Sequence, residues 1–369
     1  LSDNQLTGDI PNFQNLPNLI SILLSDNQLT GDIPNFQNLP VLYEINFSNN
    51  QLDGTIPNFQ NLTNLVSIFL QNNQLTGEIP NFQNLEFLDT VYLYSNNLTG
   101  EIPNFQNLPA LTTIFLHSNQ LTGSIPNLNI PSLRWINFSD NQLSGEIPNF
   151  ELLLNVTQII LSDNQLTGTI PDFTDVPKLK LLKLSDNQLT GNIPDFQLPL
   201  LHTLTVGGNE LSGEIPNFSD LPRLATFSVC PNNFIGNIPS FEECPFLNVG
   251  NIDFSCVEAA QTTGIIYADI NGNCIKEENE PTIPNAVIAT TDNSSYTFSN
   301  DNGFYALKTD TGDYAFNCVV PNYLWQQTCL DYPEAYTISM ESYEDSLSGY
   351  DFGFQPAENL ECPLIMVEV

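Results

Sequence analysis

The chain has 369 residues, with 42 Asp and Glu against 7 Lys and Arg, for a formal net charge of −35. A field of that sign repels phosphate backbones and anionic head groups, which sets aside nucleic acid and membrane surfaces as partners. No run of about 18 apolar residues occurs, so no segment suits insertion into a membrane as a helix.

From the first residue to about 255 one unit is written repeatedly. It opens as LSDNQLTGDIPNFQNLPNLISIL, and the leucine-like residue before SDN recurs at Leu24, Phe47, Leu70, Leu93, Leu116, Phe138, Leu161, Leu184, Val206 and Val229, in steps of 22 or 23 residues. A period of that length predicts a solenoid. Leu19, Ile22, Leu24 and Leu29 are expected to point inward and stack on the next turn. Asn27, Asn50, Asn73, Asn96, Asn119 and Asn141 form a ladder whose amides can bond backbone groups at a bend. Gly31 supplies a conformation that other residues resist, and Pro34 ends strand pairing. Phe36 and Leu39 fill the convex side. Threonines at 7, 30, 76, 99, 122, 167 and 190 make a second ladder, which could order water but reads first as structural.

The stretch from Leu19 to Leu29 fits LxxLxLxxNxL, and the continuation LTGxIP resembles the plant-type subclass of the leucine-rich repeats, which bacteria also use. The resemblance covers eleven copies. It implies a β-solenoid whose short strands line a concave face. Residue 1 falls inside a repeat, which suggests a piece of a longer protein.

Outward positions on those strands are not needed for stacking. One column runs Leu23, Asn46, Phe69, Tyr92, Phe115, Asn137, with Ser21, Glu44, Ser67, Thr90, Thr113, Trp135 two residues before it and Ser25, Ser48, Gln71, Tyr94, His117, Ser139 two after. Phe69, Tyr92, Tyr94, Phe115, His117 and Trp135 fall on four adjacent turns and predict one aromatic, ligand-binding patch for a protein or glycan. The bland alternative is that aromatic residues favour strands and rest on one another. Lys178, Lys180 and Lys183 form the only tight basic group, which reads as a solvated cluster. Sequons at Asn46 and Asn137 sit mid-strand, where a glycan would block the concave face.

All seven cysteines lie between Cys230 and Cys362, a clustering that fits disulfides in an oxidising compartment. Cys230, Cys244 and Cys256 mark an expected disulfide-bearing cap over 230–261, after a solenoid over 1–229. Cys318 and Cys329 could staple a loop, and Cys274 could join either group.

Beyond about Gln261 the period vanishes. Short alternating runs separated by Asn, Asp and Gly predict an antiparallel sandwich over 262–356, with 357–369 as a linker or the start of a further domain. In DINGNCIKEENE, Asp269, Asn271, Asn273, Glu277 and Glu280 fall at positions 1, 3, 5, 9 and 12 of a calcium loop, with the Ile275 carbonyl at position 7. Cys274 stands where glycine is usual. Together with Gly264 and Pro281, this segment resembles the SdrD B-like, prealbumin-type modules of bacterial surface adhesins. That resemblance implies a bound calcium that stiffens a stalk.

No nucleophile–base motif, phosphate loop or hydrolase motif appears, so the reading is non-enzymatic. The expectation is a binding region of a large secreted or cell-surface bacterial protein, adhering to a protein or glycan on another cell or matrix. The rival is a structural spacer or protomer of a surface fibre, assembling through missing domains. A plant-type receptor ectodomain stands third.

Overall fold

The computed structural model describes residues 1–236 without interruption. Beyond them it describes 239, 241, 244, 246–247, 252–254, 257–258, 260–270, 272–273, 275–277, 279–292, 294–309, 312–320, 325–327, 335–340, 346–348 and 350–356. Two compact units are present, one holding 1–212, 216–232 and 241–256, the other 213–215, 233–240 and 257 onward. No helix of the described residues is long and apolar enough to cross a membrane.

The first unit is a β-solenoid. Its main sheet has ten parallel strands, from Ser21–Leu23 to Thr226–Ser228 in chain order. The first repeat copy begins after its strand, so eleven motifs give ten strands. Each strand is three residues long because only its central residue must face inward. Ile22, Ile45, Ile68, Val91, Ile114, Ile136, Ile159, Leu182, Leu204 and Phe227 form that buried column, in unbroken register. Further parallel pairs at the LTG segments, such as Ser144–Glu146 with Gln165–Thr167, contain threonines of the second ladder. Thr76, Thr99, Thr122 and Thr190 are exposed there.

The asparagine ladder closes each bend. Asn96 Oδ1 accepts from the Leu75 N–H at 3.0 Å, while its Nδ2 lies 3.0 Å from the carbonyls of Leu70 and Leu93. One side chain therefore ties two turns together and satisfies groups that have no ladder partner.

On the convex side a column of phenylalanine rings runs from turn to turn. Phe36, Phe59, Phe82 and Phe105 stack at 6.4–6.5 Å with interplanar angles of 6–11°. Several of these residues are in the left-handed region, Phe59 at φ +50° and Phe82 at +51°. The Asn before each one holds the turn: the Gln60 N–H donates to Asn58 Oδ1 and that of Gln83 to Asn81 Oδ1. Such Asx turns offset a backbone that L-residues avoid at about 1–2 kcal/mol.

Glycine in LTG answers two demands. Gly123 has φ +78°, and a Cβ there would meet Glu101 Cγ of the preceding turn at 2.8 Å. Gly123→Ala is expected to lower stability in urea by about 1–3 kcal/mol. Adding Glu101→Ala should return the steric part and leave the backbone part, which a double-mutant cycle reads directly.

Among the described residues, two sheets build the core of the second unit. One orders Phe304–Thr309, Ala260–Ala268, Phe352–Pro356 and Trp325–Gln327, with Ser346–Leu347 beside Ala260–Ala268. The other orders Tyr296–Phe298, Val287–Thr290, Gly312–Val319 and Tyr336–Met340, antiparallel throughout. Ile266, Leu307 and Phe352 of the first sheet meet Ile288, Phe316 and Ile338 of the second in one core. Two pairings in the first sheet are parallel, Ile266–Ala268 with Phe352–Phe354 and Gln261–Thr262 with Ser346–Leu347, against the antiparallel expectation.

The cysteines only partly follow expectation. Cys230 is disulfide-bonded. Cys244 keeps its thiol, whose single S–H is shared between the carbonyls of Phe218 and Leu221 at 3.6 and 3.7 Å. Cys318 is a buried free thiol in the sandwich core, its pKa pushed up to about 12 by burial, so it does not staple a loop. Cys256, Cys274, Cys329 and Cys362 lie outside the described residues.

Candidate functional site

The register of the concave sheet sets the aromatic residues. Phe69 pairs opposite Tyr92, and Tyr92 opposite Phe115, so three rings stand in one row. Neighbouring strands are about 4.8 Å apart, within the centroid separation of about 4.5–7 Å that aromatic pairs prefer. Tyr92 and Phe115 accordingly stack at 4.8 Å and 7°, and Phe69 meets Tyr92 edge-on at 5.2 Å. Tyr94 and His117 stack at 4.3 Å and 11° in the next row, joined to the first by Tyr92–Tyr94 and Phe115–His117 contacts near 6 Å. Five rings thus form one half-buried platform over three adjacent turns.

Trp135 is not part of it. Its strand position pairs with Thr113 and Gln158, two residues ahead of the row of Phe115, and no ring contact joins it to the five. It is 38% exposed, and the residue before it is Arg134. The single expected patch therefore divides into a five-ring platform and a separate indole.

Burial sets the charge state of the platform. The Tyr92 phenol is pushed up, first by desolvation and then by Tyr94 and Asp89. Desolvation lowers the His117 pKa, against an opposing pull from Asp140. At neutral pH the platform is uncharged. Gln71 Oε1 and His117 Nδ1 are buried there without a hydrogen-bond partner, in the row that holds Tyr94 between them. Gln71 was not among the expected contact residues; its place in the Tyr94 column was the available signal.

The loop that follows Ala268 folds on itself. Asp269 is fully buried, and its Oδ1 accepts from the Gly272 and Asn273 N–H groups at 2.8 and 3.2 Å. Glu280, 3% exposed, accepts from Ile270 N–H through Oε1 at 2.9 Å and from Glu277 N–H through Oε2 at 3.0 Å. Asn273 Nδ2 donates to Glu277 Oε1 at 3.0 Å, and its Oδ1 accepts from the Ile275 N–H at 2.9 Å. The two buried carboxylates and Asp351 crowd Tyr267, whose phenol is raised by burial first and then by these charges. Asp269 and Glu280 thus direct carboxylate oxygens to backbone amides of their own loop. Among the described residues no three His, Cys, Asp or Glu side chains converge as a metal site, and Asn271 lies outside them.

An arc of stacked parallel strands with an asparagine ladder defines a leucine-rich-repeat solenoid. The Leucine Rich Repeat family model matches residues 64–85, 132–150 and 178–197, so the chain carries such repeats. A TDR receptor structure aligns at 32% identity with a TM-score of 0.62, over 66% of this chain and 45% of that one. The Arabidopsis receptor kinase HAESA, in complex with the peptide hormone IDA and the co-receptor SERK1, aligns at 30% identity and TM-score 0.54, over 67% and 48%. A plant ice-binding protein aligns at 29% identity and TM-score 0.51, over 65% and 74%. The chain therefore spans less than half the length of each of these two receptor structures. Comparison with curated proteins found no match.

Proposed function

We propose that the concave face is a ligand-binding surface, and that the chain is a non-enzymatic, extracellular binding region of a larger cell-surface or secreted protein. The observation that carries this is the five-ring platform, an uncharged aromatic surface on a chain of net charge −35. Aromatic clusters of this kind concentrate binding energy. The likeness to receptor ectodomain structures, one of them holding a peptide hormone, supports a protein or peptide segment as the ligand; a glycan would stack on the same rings. Adhesion to another cell or matrix is the task that reading implies, with bacterial modules as its source.

The test is binding of the purified chain to whole cells, protein arrays and glycan arrays, beside a Tyr92→Ala/Phe115→Ala variant. Loss of about 2–4 kcal/mol of affinity, 30-fold or more, is the expected result. Unchanged binding in the variant would place the ligand elsewhere. No binding, with concentration-dependent assembly in light scattering, would favour the fibre reading.

The same reading assigns calcium to the 269–280 loop as a stiffener of the sandwich, held by Asp269, Asn271, Asn273, the Ile275 carbonyl, Glu277 and Glu280. A cation at a hundredfold excess over its Kd adds about 2.7 kcal/mol to the unit that binds it. Calcium should raise the sandwich's melting temperature and protease resistance, and EDTA should reverse both. Melting indifferent to EDTA, in the protein and in Asp269→Asn alike, would remove calcium from the account.

A further inference from the structure

Of the seven cationic residues, five lie in the solenoid, and all five fall within 134–223: Arg134, Lys178, Lys180, Lys183 and Arg223. Residues 1–133 have none. With 42 carboxylates in the chain, each cation would be expected to find a partner. Among the described residues none of the five has a carboxylate partner; Lys178 Nζ donates instead to the Asn155 amide at 2.6 Å. Arg134, Lys178, Lys180 and Arg223 are exposed and Lys183 is half-buried.

Their arrangement is regular. Arg134, Thr157, Lys180 and His202 are successive rungs at the start of the concave strands. Thr157 N–H donates to the Arg134 carbonyl at 2.8 Å, Lys180 N–H to Thr157 at 2.9 Å and His202 N–H to Lys180 at 2.8 Å. Arg134 and Lys180 are thus two turns, roughly 10 Å, apart along the sheet. Lys178 and Arg223 repeat that two-turn step one column further out. Asp140, Asp163 and Asp186 sit at the opposite end of the same turns, six residues away and roughly 20 Å along the chain. Asp89 stands on the same rungs two turns before Arg134, and the exposed Asp175 and Asp220 lie three residues before Lys178 and Arg223. A ligand on this edge therefore meets carboxylates at its margins, which salt with a Debye length of about 8 Å screens in part. The Trp135 indole lies beside this edge, exposed and without a ring partner.

We infer that this edge binds a linear acidic polysaccharide. A two-turn step is close to the advance of one disaccharide in an extended polysaccharide, so a uronic acid on alternate sugars meets a cation on alternate turns. Trp135 offers a flat apolar face to a sugar ring. An extended acidic peptide does not fit this step, because its same-face side chains repeat at roughly 6.7 or 13 Å. The surface is distinct from the five-ring platform.

The test is affinity of the full chain for polygalacturonate at about 0.15 M NaCl in EDTA, which removes calcium bridges, with dextran and poly-glutamate as controls. The expected result is saturable binding to polygalacturonate, none to dextran, weaker binding to poly-glutamate, and loss at about 1 M NaCl. An Arg134→Gln/Lys178→Gln/Lys180→Gln/Arg223→Gln variant should lose about tenfold or more, and Trp135→Ala should lose affinity without changing the melting temperature. Tyr92→Ala/Phe115→Ala should bind polygalacturonate as the unmutated chain does, which separates this inference from the platform's fate. Absence of polygalacturonate binding, full binding by the glutamine variant, or equal binding to poly-glutamate would each overturn it.

Discussion

Replacing Asn96 with alanine is expected to lower the stability of the solenoid by about 3–5 kcal/mol. The side chain is 8% exposed and serves one N–H and two close carbonyls, those of Leu75, Leu70 and Leu93. A third carbonyl, of Tyr94, lies at 3.4 Å. Alanine removes the partner and leaves these groups in a site water does not reach. Each orphaned backbone group costs about 1–3 kcal/mol, and part is recovered by local relaxation. Aspartate is the informative companion, since it keeps the acceptor for Leu75 N–H but sets a buried oxygen against the carbonyls of Leu70 and Leu93. Asn96→Asp should therefore be no better than alanine at neutral pH. Because each turn touches only its neighbours, the damage should stay local. Hydrogen exchange should show loss of protection over the flanking turns with the far turns intact. A drop below about 1 kcal/mol, or uniform loss of protection, would contradict the ladder's role.

Much of this was legible in the primary structure, because a repeat prints its own register. The inward column from Ile22 to Phe227, the ten strands and the asparagine ladder all follow from aligning the copies. The platform was legible in the same way, since Phe69, Tyr92 and Phe115 share one column. The separation of Trp135 was less visible. It sits two residues ahead of that column, and counting turns alone places it among the rings. What repeats cannot display is a requirement that every copy meets silently. Gly123 looks like a turn glycine, and its second constraint, contact with Glu101, appears only when the turns are stacked. The thiols of Cys244 and Cys318 look like disulfide halves because spacing carries no information about distance. The loop at 269–280 displayed its donors by spacing, but not that backbone amides already occupy Asp269 and Glu280.

The phenylalanine column is where local preference and packing oppose each other most directly, and Phe82 is the residue to test. It is fully buried and stacked on Phe59 and Phe105. Its backbone has φ +51°, a region that a β-carbon disfavours. Phe82→Ala is expected to cost about 3–5 kcal/mol, as for other buried phenylalanines, because neither flanking ring can collapse into the gap. Glycine then gives a sign reversal. In most sheet and helix positions glycine is worse than alanine by about 0.5–1 kcal/mol. Here it relieves the left-handed strain that alanine retains, so Phe82→Gly should be no less stable than Phe82→Ala. Leucine stands at the aligned place in the shortened sixth turn, Leu128, 2% exposed, where the stack between Phe105 and Phe150 is interrupted and the backbone is not left-handed. Phe82→Leu should cost less than alanine, because it keeps most of the buried volume while retaining the same backbone strain. Guanidinium unfolding of the three variants side by side gives the order Leu, then Gly level with or above Ala. Alanine clearly more stable than glycine would mean that the turn holds no strain at this residue, and that ring stacking alone shapes the convex side.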